Sequence, residues 1–280
     1  MKSVRQILRD HDIKPIKRLG QCFLTDLSVM QKIVEIADIK DDETVIEIGS
    51  GLGIMTTLMA GKAGHVNAIE IDGKLVAILE EQLKDYNNVD IIQGDILKYD
   101  FIPSAGEGID KKIKILGNIP YSISSPILFH ILEHRNNISM AVLMMQKEVA
   151  DRLCAVPGTK AYGIPSVLFG LYTTISRELS VSPTCFYPEP EVTSTVVKML
   201  INKEQLCHVE DHILFPRLVR AAFSQRRKTL FNNLKNTHWQ GYDSSRIQNV
   251  MRDLGIGEKR RAEELSIQEF ATICNALSNS

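Results

Sequence analysis

The sequence predicts an α/β protein whose main domain carries a seven-stranded, mostly parallel sheet, followed by a small all-helical C-terminal domain. Three features point there. Apolar, β-branched runs alternate with helical patterns four times in the first half of the chain, as a parallel sheet requires. The run Val45-Ile46-Glu47-Ile48 ends in Gly49-Ser50-Gly51-Leu52-Gly53 and opens at once into the helical pattern that starts at Ile54. Glycines at such a strand–helix join let the backbone approach a ligand closely and take dihedrals that other residues avoid. From Asp211 onward the periodicity is helical throughout, with a last helix over 266–277. The expected division is 1–204 for the α/β domain, with a basic leading segment over 1–25, and 205–280 for the helical one.

Composition bounds the class. The chain has 280 residues, 44% of them apolar and 24% charged, ordinary for a globular protein. No apolar run approaches the roughly 18 residues that span a bilayer, and the charged start Met1-Lys2-Ser3-Val4-Arg5 lacks an apolar core of signal-peptide type. Five scattered cysteines without a Cys-x-x-Cys pair argue against a disulfide framework or a zinc site and for a reducing, cytoplasmic setting. The net charge of −1 announces no nucleic-acid partner. Distribution says more: Lys2, Arg5, Arg9, Lys14, Lys17 and Arg18 crowd the start, and a second basic concentration runs over 217–261. Two basic ends suit a phosphate backbone, although solvated helix faces carry such runs too.

In chain order, a short helix is expected over 4–11, then a connector through Pro15 to Gly20-Gln21-Cys22-Phe23-Leu24, and a helix N-capped by Asp26. After the glycine loop, a strand over 65–69 ends at Glu70, about 20 residues on, the interval at which nucleotide-binding α/β folds place an acid on ribose hydroxyls. A helix over 74–84 leads to a strand over 89–92 that ends near Asp95. A loop over 101–111 precedes the strand 112–116, which delivers Gly117-Asn118-Ile119-Pro120-Tyr121. Asn offers a carbonyl acceptor and an amide donor, Pro stiffens the backbone, and Tyr offers a flat face; together they suit a planar ring with an exocyclic amine. A helix over 126–133, a buried strand over 139–146, helices over 147–155 and 165–172, and a strand over 174–181 follow. Phe186-Tyr187-Pro188-Glu189-Pro190-Glu191-Val192-Thr193-Ser194 reads as a stiff loop, and 192–201 as a seventh strand forming an edge pair with the sixth.

Several of these segments together resemble the rRNA adenine N6-dimethyltransferases. Asn118-Ile119-Pro120-Tyr121 with Ser122-Ile123-Ser124-Ser125-Pro126 is similar to the family signature. Gly20–Leu24 resembles its leading segment, with Cys22 where the family most often has Asn. The glycine loop looks like the first motif of Rossmann-like class I methyltransferases; Phe186–Ser194 resembles Phe-x-Pro-x-Pro-x-Val-x-Ser; Phe223–Leu230 resembles Phe-x-x-Arg-Arg-Lys-Thr-Leu; and Arg261–Ser266 resembles the C-terminal pattern. The resemblance runs from Gly20 to about Phe270, in the family's order.

It implies an enzyme that uses S-adenosyl-L-methionine, leaving S-adenosylhomocysteine, and needs no metal. Cofactor contacts are expected from Cys22, Leu24, Gly49, Gly51, Glu70, Ile71, Asp95, Ile96 and Asn118. Asn118, Pro120, Tyr121 and Phe186 would hold a flipped-out adenine, with the Asn118 side-chain carbonyl and the Ile119 or Pro120 backbone carbonyl accepting its amine hydrogens. Arg226, Arg227 and Lys228 would contact RNA phosphates. The implied substrate is a 3′-end hairpin of 16S rRNA in an assembling small subunit, modified by a monomer. A 23S rRNA enzyme of the resistance type, a non-catalytic RNA-binding assembly factor and a DNA adenine methyltransferase are the other readings.

Overall fold

The computed structural model describes residues 3–102, 112–236 and 243–278. The loop expected over 101–111 and the helical pattern over 237–242 therefore lie almost wholly outside the described residues. The chain opens with α1 (Val4–Asp10), β1 (Phe23–Leu24) and α2 (Leu27–Ile36), then alternates β2 (Thr44–Ile48), α3 (Ile54–Ala60), β3 (His65–Glu70), α4 (Gly73–Leu83), β4 (Val89–Gln93), β5 (Ile113–Asn118), α5 (Ser124–Glu133) and β6 (Ile138–Gln146). After α6 (Lys147–Leu153) and α7 (Ile164–Tyr172) come β7 (Thr173–Val181), β8 (Phe186–Tyr187) and β9 (Ser194–Ile201). The remainder is helical: α8 (Leu214–Ala222), α9 (Leu230–Asn236), α10 (Ser244–Asp253) and α11 (Ile267–Ser278). The expected cap is in place, because Asp26 accepts from the Ser28 and Val29 amides at 2.9 and 3.3 Å.

The seven-stranded sheet has the order β4-β3-β2-β5-β6-β9-β7. β2 pairs parallel to both β3 and β5, β3 to β4, and β5 to β6; β9 alone is seen antiparallel, against β6. The seventh strand of the sequence reading, β9, thus neighbours the sixth, β7, as expected, and lies between it and the fifth, β6, with β7 at the edge. Chain order reverses between β2 and β5, and a crevice at the carboxyl ends of the strands opens at such a switch point. Every residue of β2 is buried, so the strand that feeds the glycine loop is covered on both faces. Gly117 permits the β2–β5 approach, since a Cβ there would come within 2.7 Å of the Ile48 carbonyl oxygen.

Two compact units result: Met1–Ala150 with Ile175–Ile201, and Asp151–Thr174 with Asn202–Ser280. The sequence expectation places the division at 204/205; by contacts the segment Asp151–Thr174 groups with Asn202–Ser280. The reason is α7, whose Val167, Leu168, Phe169 and Leu171 are all buried and which packs on α8 and α11. At Gly170 the approach to α11 is so close that a Cβ would meet Ile267 at 2.5 Å. In the first unit, one apolar cluster fills the sheet from Ile33 and Val45 to Phe186 and Val196. A second joins Val4, Ile7 and Leu8 of α1 to Leu52, Leu75 and Ile78.

Candidate active site

The crevice at the switch point measures about 1110 Å³ out to its open mouth and is lined by the glycine loop, the ends of β3 and β5, and the segment Leu19–Leu24. Gly49, Gly51 and Gly53 all have positive φ, at 71°, 59° and 76°, which only glycine adopts freely. The Gly49 and Ser50 amides donate to the Ile69 carbonyl at 2.9 and 3.2 Å, turning the loop back over β3.

Glu70 does more than the sequence shows. Its Oε2 accepts from the Gly51 amide at 3.0 Å, and its Oε1 from the Ile71 and Asp72 amides at 2.8 and 2.9 Å. A carboxylate has about four lone-pair positions, and these three bonds make Glu70 the clamp of the glycine loop. Burial still pushes its pKa up, against the pull of those three amides. Asp95 sits at the crevice and N-caps a short turn, accepting from the Leu97 amide at 3.0 Å. Ile71 and Ile96 flank the two acids and also line the crevice.

The segment Gly20–Leu24 is strapped across this loop. Gln21 donates to Asp72 Oδ2 at 2.9 Å and accepts from the Ile16 amide at 2.8 Å. β1 pairs antiparallel with β8, setting Phe23 opposite Tyr187 and Leu24 opposite Phe186. Asn118 Nδ2 donates to the Cys22 backbone carbonyl at 2.8 Å, and the Cys22 thiol donates to the Pro188 carbonyl at 3.0 Å. The departure from the family's Asn at position 22 therefore leaves the main-chain contact to Asn118 in place. That bond also fixes the Asn118 amide: Nδ2 faces the strap, and Oδ1 is the atom left to accept. Of the two backbone acceptors considered, Pro120 already accepts from the Ile123 amide at 3.2 Å and the Ser124 hydroxyl at 3.1 Å. No hydrogen bond to the Ile119 carbonyl is found among the described residues, so Ile119 is the better acceptor. Tyr121 lines the crevice half-buried, its hydroxyl 2.6 Å from Ser194 Oγ.

Phe186 requires correction. It is fully buried, among Leu24, Leu116, Met144 and Val196, and does not line the crevice. Strand alternation is the cause: side chains of β1 and β8 point to opposite faces in turn, sending Leu24 and Phe186 into the core and Phe23 and Tyr187 to the α1 side. Tyr187 has the Arg5 guanidinium 5.0 Å from its ring centroid. In the helical unit, Arg226 is engaged within the fold, pairing with Glu263 at 3.3 Å and donating to the Lys160 carbonyl. Arg227 and Lys228 are exposed ahead of α9.

Val4, Gln21, Glu47 and Ser194 belong to the site region and were not picked out from sequence. Glu47 lies in β2 beneath the glycine loop, accepts from the Thr56 hydroxyl, and is driven by burial to a pKa of about 8. The native state thus holds a proton that the unfolded chain releases above the usual carboxylate range. Stability is accordingly lost as pH rises from that range toward about 8. Glu47→Gln should flatten this decline and raise the unfolding midpoint most at the alkaline end. Thermal unfolding at several pH values checks it; equal pH slopes in the two proteins would overturn the assignment.

The sheet order, the glycine loop and the acids at successive strand ends define a Rossmann-like methyltransferase. The chain belongs to the ribosomal RNA adenine dimethylase family, whose model matches residues 14–279. It is 72% identical, over all of both chains, to the "Ribosomal RNA small subunit methyltransferase A" of Syntrophus aciditrophicus (strain SB). To the protein of that name from Bacillus thuringiensis (strain Al Hakam) it is 44% identical, over 93% of this chain and 90% of the relative. A solved dimethyladenosine transferase from Plasmodium falciparum superposes with a TM-score of 0.80 at 25% identity, over 92% of this chain and 98% of that one. The 23S rRNA methyltransferase ErmE, at 23% identity, shares the fold with a TM-score of 0.68 over 91% and 99% of the two chains.

Proposed function

We propose that this protein transfers methyl groups from S-adenosylmethionine to the N6 amines of adenines in a 3′-end hairpin of 16S rRNA during small-subunit biogenesis. The observation that carries the chemistry is the Asn118 amide, held by the Cys22 carbonyl with its Oδ1 open. The small-subunit substrate is supported by the full-length likeness to the Syntrophus aciditrophicus relative.

The residues present fit the cofactor. Gly49 and Gly51 leave a side-chain-free cradle, and both hold positive φ, 71° and 59°, which L side chains rarely adopt. Glu70 and Asp95 supply acceptors at neighbouring strand ends, for the ribose hydroxyls and the adenine amine, while Leu24, Ile71 and Ile96 give apolar walls. When bound, S-adenosylmethionine supplies an already electrophilic sulfonium methyl, so the protein's task is positioning.

Asn118 Oδ1 and the Ile119 carbonyl accept the two hydrogens of the target amine, drawing its lone pair out of conjugation with the ring. Such positioning is worth roughly 7–11 kcal/mol in favourable cases. Tyr121 stacks on the base, contributing about 1–3 kcal/mol. Pro120 holds the turn that presents both. No carboxylate or imidazole is needed as a base, because the alkylated amine is acidic enough to lose its proton to water. Arg227 and Lys228 meet RNA phosphates. None of the five cysteines is in a disulfide, which suits a cytoplasmic enzyme, and no helix among the described residues is long and apolar enough to cross a membrane.

The test is transfer of labelled methyl to small ribosomal subunits from cells lacking the modification, with free large subunits in parallel. Label recovered as dimethyladenosine on the small subunit alone is the expected result. Label on large-subunit RNA, or none on either, would overturn the proposal.

A further inference from the structure

We propose that Ser194 is a positioning residue for methyl transfer: its buried hydroxyl anchors the far end of Tyr121 and so fixes where the ring stands on which the target base stacks. The inference deepens the proposed function and rests on it for the identity of the base.

The geometry comes from three strands. Tyr121 lies just past the end of β5, in a short turn whose ring reaches the crevice. Ser194 is the first residue of β9, fully buried, and is held in register opposite Gln146 of β6. β6 in turn pairs with β5, where Met144 faces Asn118. The amine acceptor and the anchor of the stacking ring are therefore fixed to one continuous piece of sheet. The hydroxyls of Tyr121 and Ser194 stand 2.6 Å apart.

A tyrosine tethered only at its Cβ swings about χ1, and its χ2 well is broad. A hydrogen bond at the opposite end of the ring pins the direction of its long axis, which χ1 sets, while χ2 turns the ring about that axis without moving the hydroxyl oxygen. Burial also raises the Tyr121 pKa, so the phenol keeps its proton and the anchor persists through neutral pH. Orientation matters because the base must present its amine edge to Asn118 Oδ1 while its face lies on the ring. It matters twice for a dimethylating enzyme, since the monomethylated amine is bulkier and must take up the same pose. The motif ending Val192-Thr193-Ser194 thus gains a function beyond starting a strand.

A bond between two poorly solvated hydroxyls also satisfies a plain structural need, and the test must separate the two roles. Single-turnover methyl transfer, affinity for an adenine-bearing RNA hairpin, cofactor affinity and thermal midpoint are measured for Ser194→Ala, Tyr121→Phe and the double variant. Each single variant is expected to slow transfer and weaken hairpin binding by roughly 3–10-fold, the worth of one hydrogen bond. The double variant should lose no more than Tyr121→Phe alone, with cofactor affinity unchanged in all three. Tyr121→Phe keeps the ring and its packing, so it stands even where Ser194→Ala folds poorly. Independent, multiplying losses, or cofactor affinity and thermal midpoint falling in step with transfer, would overturn the anchor. So would an unchanged Ser194→Ala variant. Absence of transfer by the wild-type protein would instead overturn the proposed function, and the cycle would then be read on hairpin affinity alone.

Discussion

Asn118→Ala should reduce methyl transfer by at least ~10²–10³-fold, the scale seen when one preorganised polar contact to a reacting centre is removed. Cofactor affinity should stay within a few-fold of wild type, because Asn118 faces the strap and the target amine. The structure adds a second variant. Asn118→Asp keeps an acceptor but sets a carboxylate oxygen against the Cys22 carbonyl, where an amide now donates at 2.8 Å. That repulsion should loosen the strap, so Asn118→Asp is expected to lose transfer and to become more sensitive to proteolysis near Cys22. Asn118→Ala should lose transfer with a smaller change in sensitivity. Stopped transfer with a parallel loss of cofactor affinity in Asn118→Ala would show that the residue holds the cofactor instead.

Glu70→Ala should fail differently. It strips an acceptor from the amides of Gly51, Ile71 and Asp72 at once, and a buried donor left unpaired costs about 1–3 kcal/mol. Cofactor affinity should fall by ~10²-fold or more, and the thermal midpoint should fall with it. A cofactor analogue lacking the ribose hydroxyls separates clamp from contact. Wild type should bind the analogue more weakly than the cofactor, and Glu70→Ala should bind both alike. Wild-type affinity in Glu70→Ala would sink both roles; full discrimination retained by the variant would leave only the clamp.

The difference between these two predictions reflects what each residue's surroundings demand. Asn118 was legible because Asn-Ile-Pro-Tyr after a buried run is a rare combination, and its neighbours in sequence are its neighbours in the turn. Glu70 was legible as an acid at a strand end, but not as a clamp, because its partners include Gly51 across a parallel strand pair. Phe186 was misplaced for a similar reason. Nothing in a two-residue strand announces its pairing, and only the β1–β8 register sends Phe186 inward and Tyr187 outward. Arg226 reads as a free cation in a basic run; its carboxylate, Glu263, lies far along the chain.

The alternation of strands and helices, the glycine loop, the acids at strand ends and the Asn-Ile-Pro-Tyr tip can all be read from the chain alone. These are local: period, turn chemistry and capping act over a few residues, and the chain writes them out in order. Tertiary structure decided which hydrogen-bonding atoms remain open. The strap over the loop, the bond that frees Asn118 Oδ1, the occupied Pro120 carbonyl and the Ser194 anchor all depend on contacts between distant segments. Such contacts are fixed by sheet order and register, and register depends on the whole packed sheet rather than on any one stretch of it.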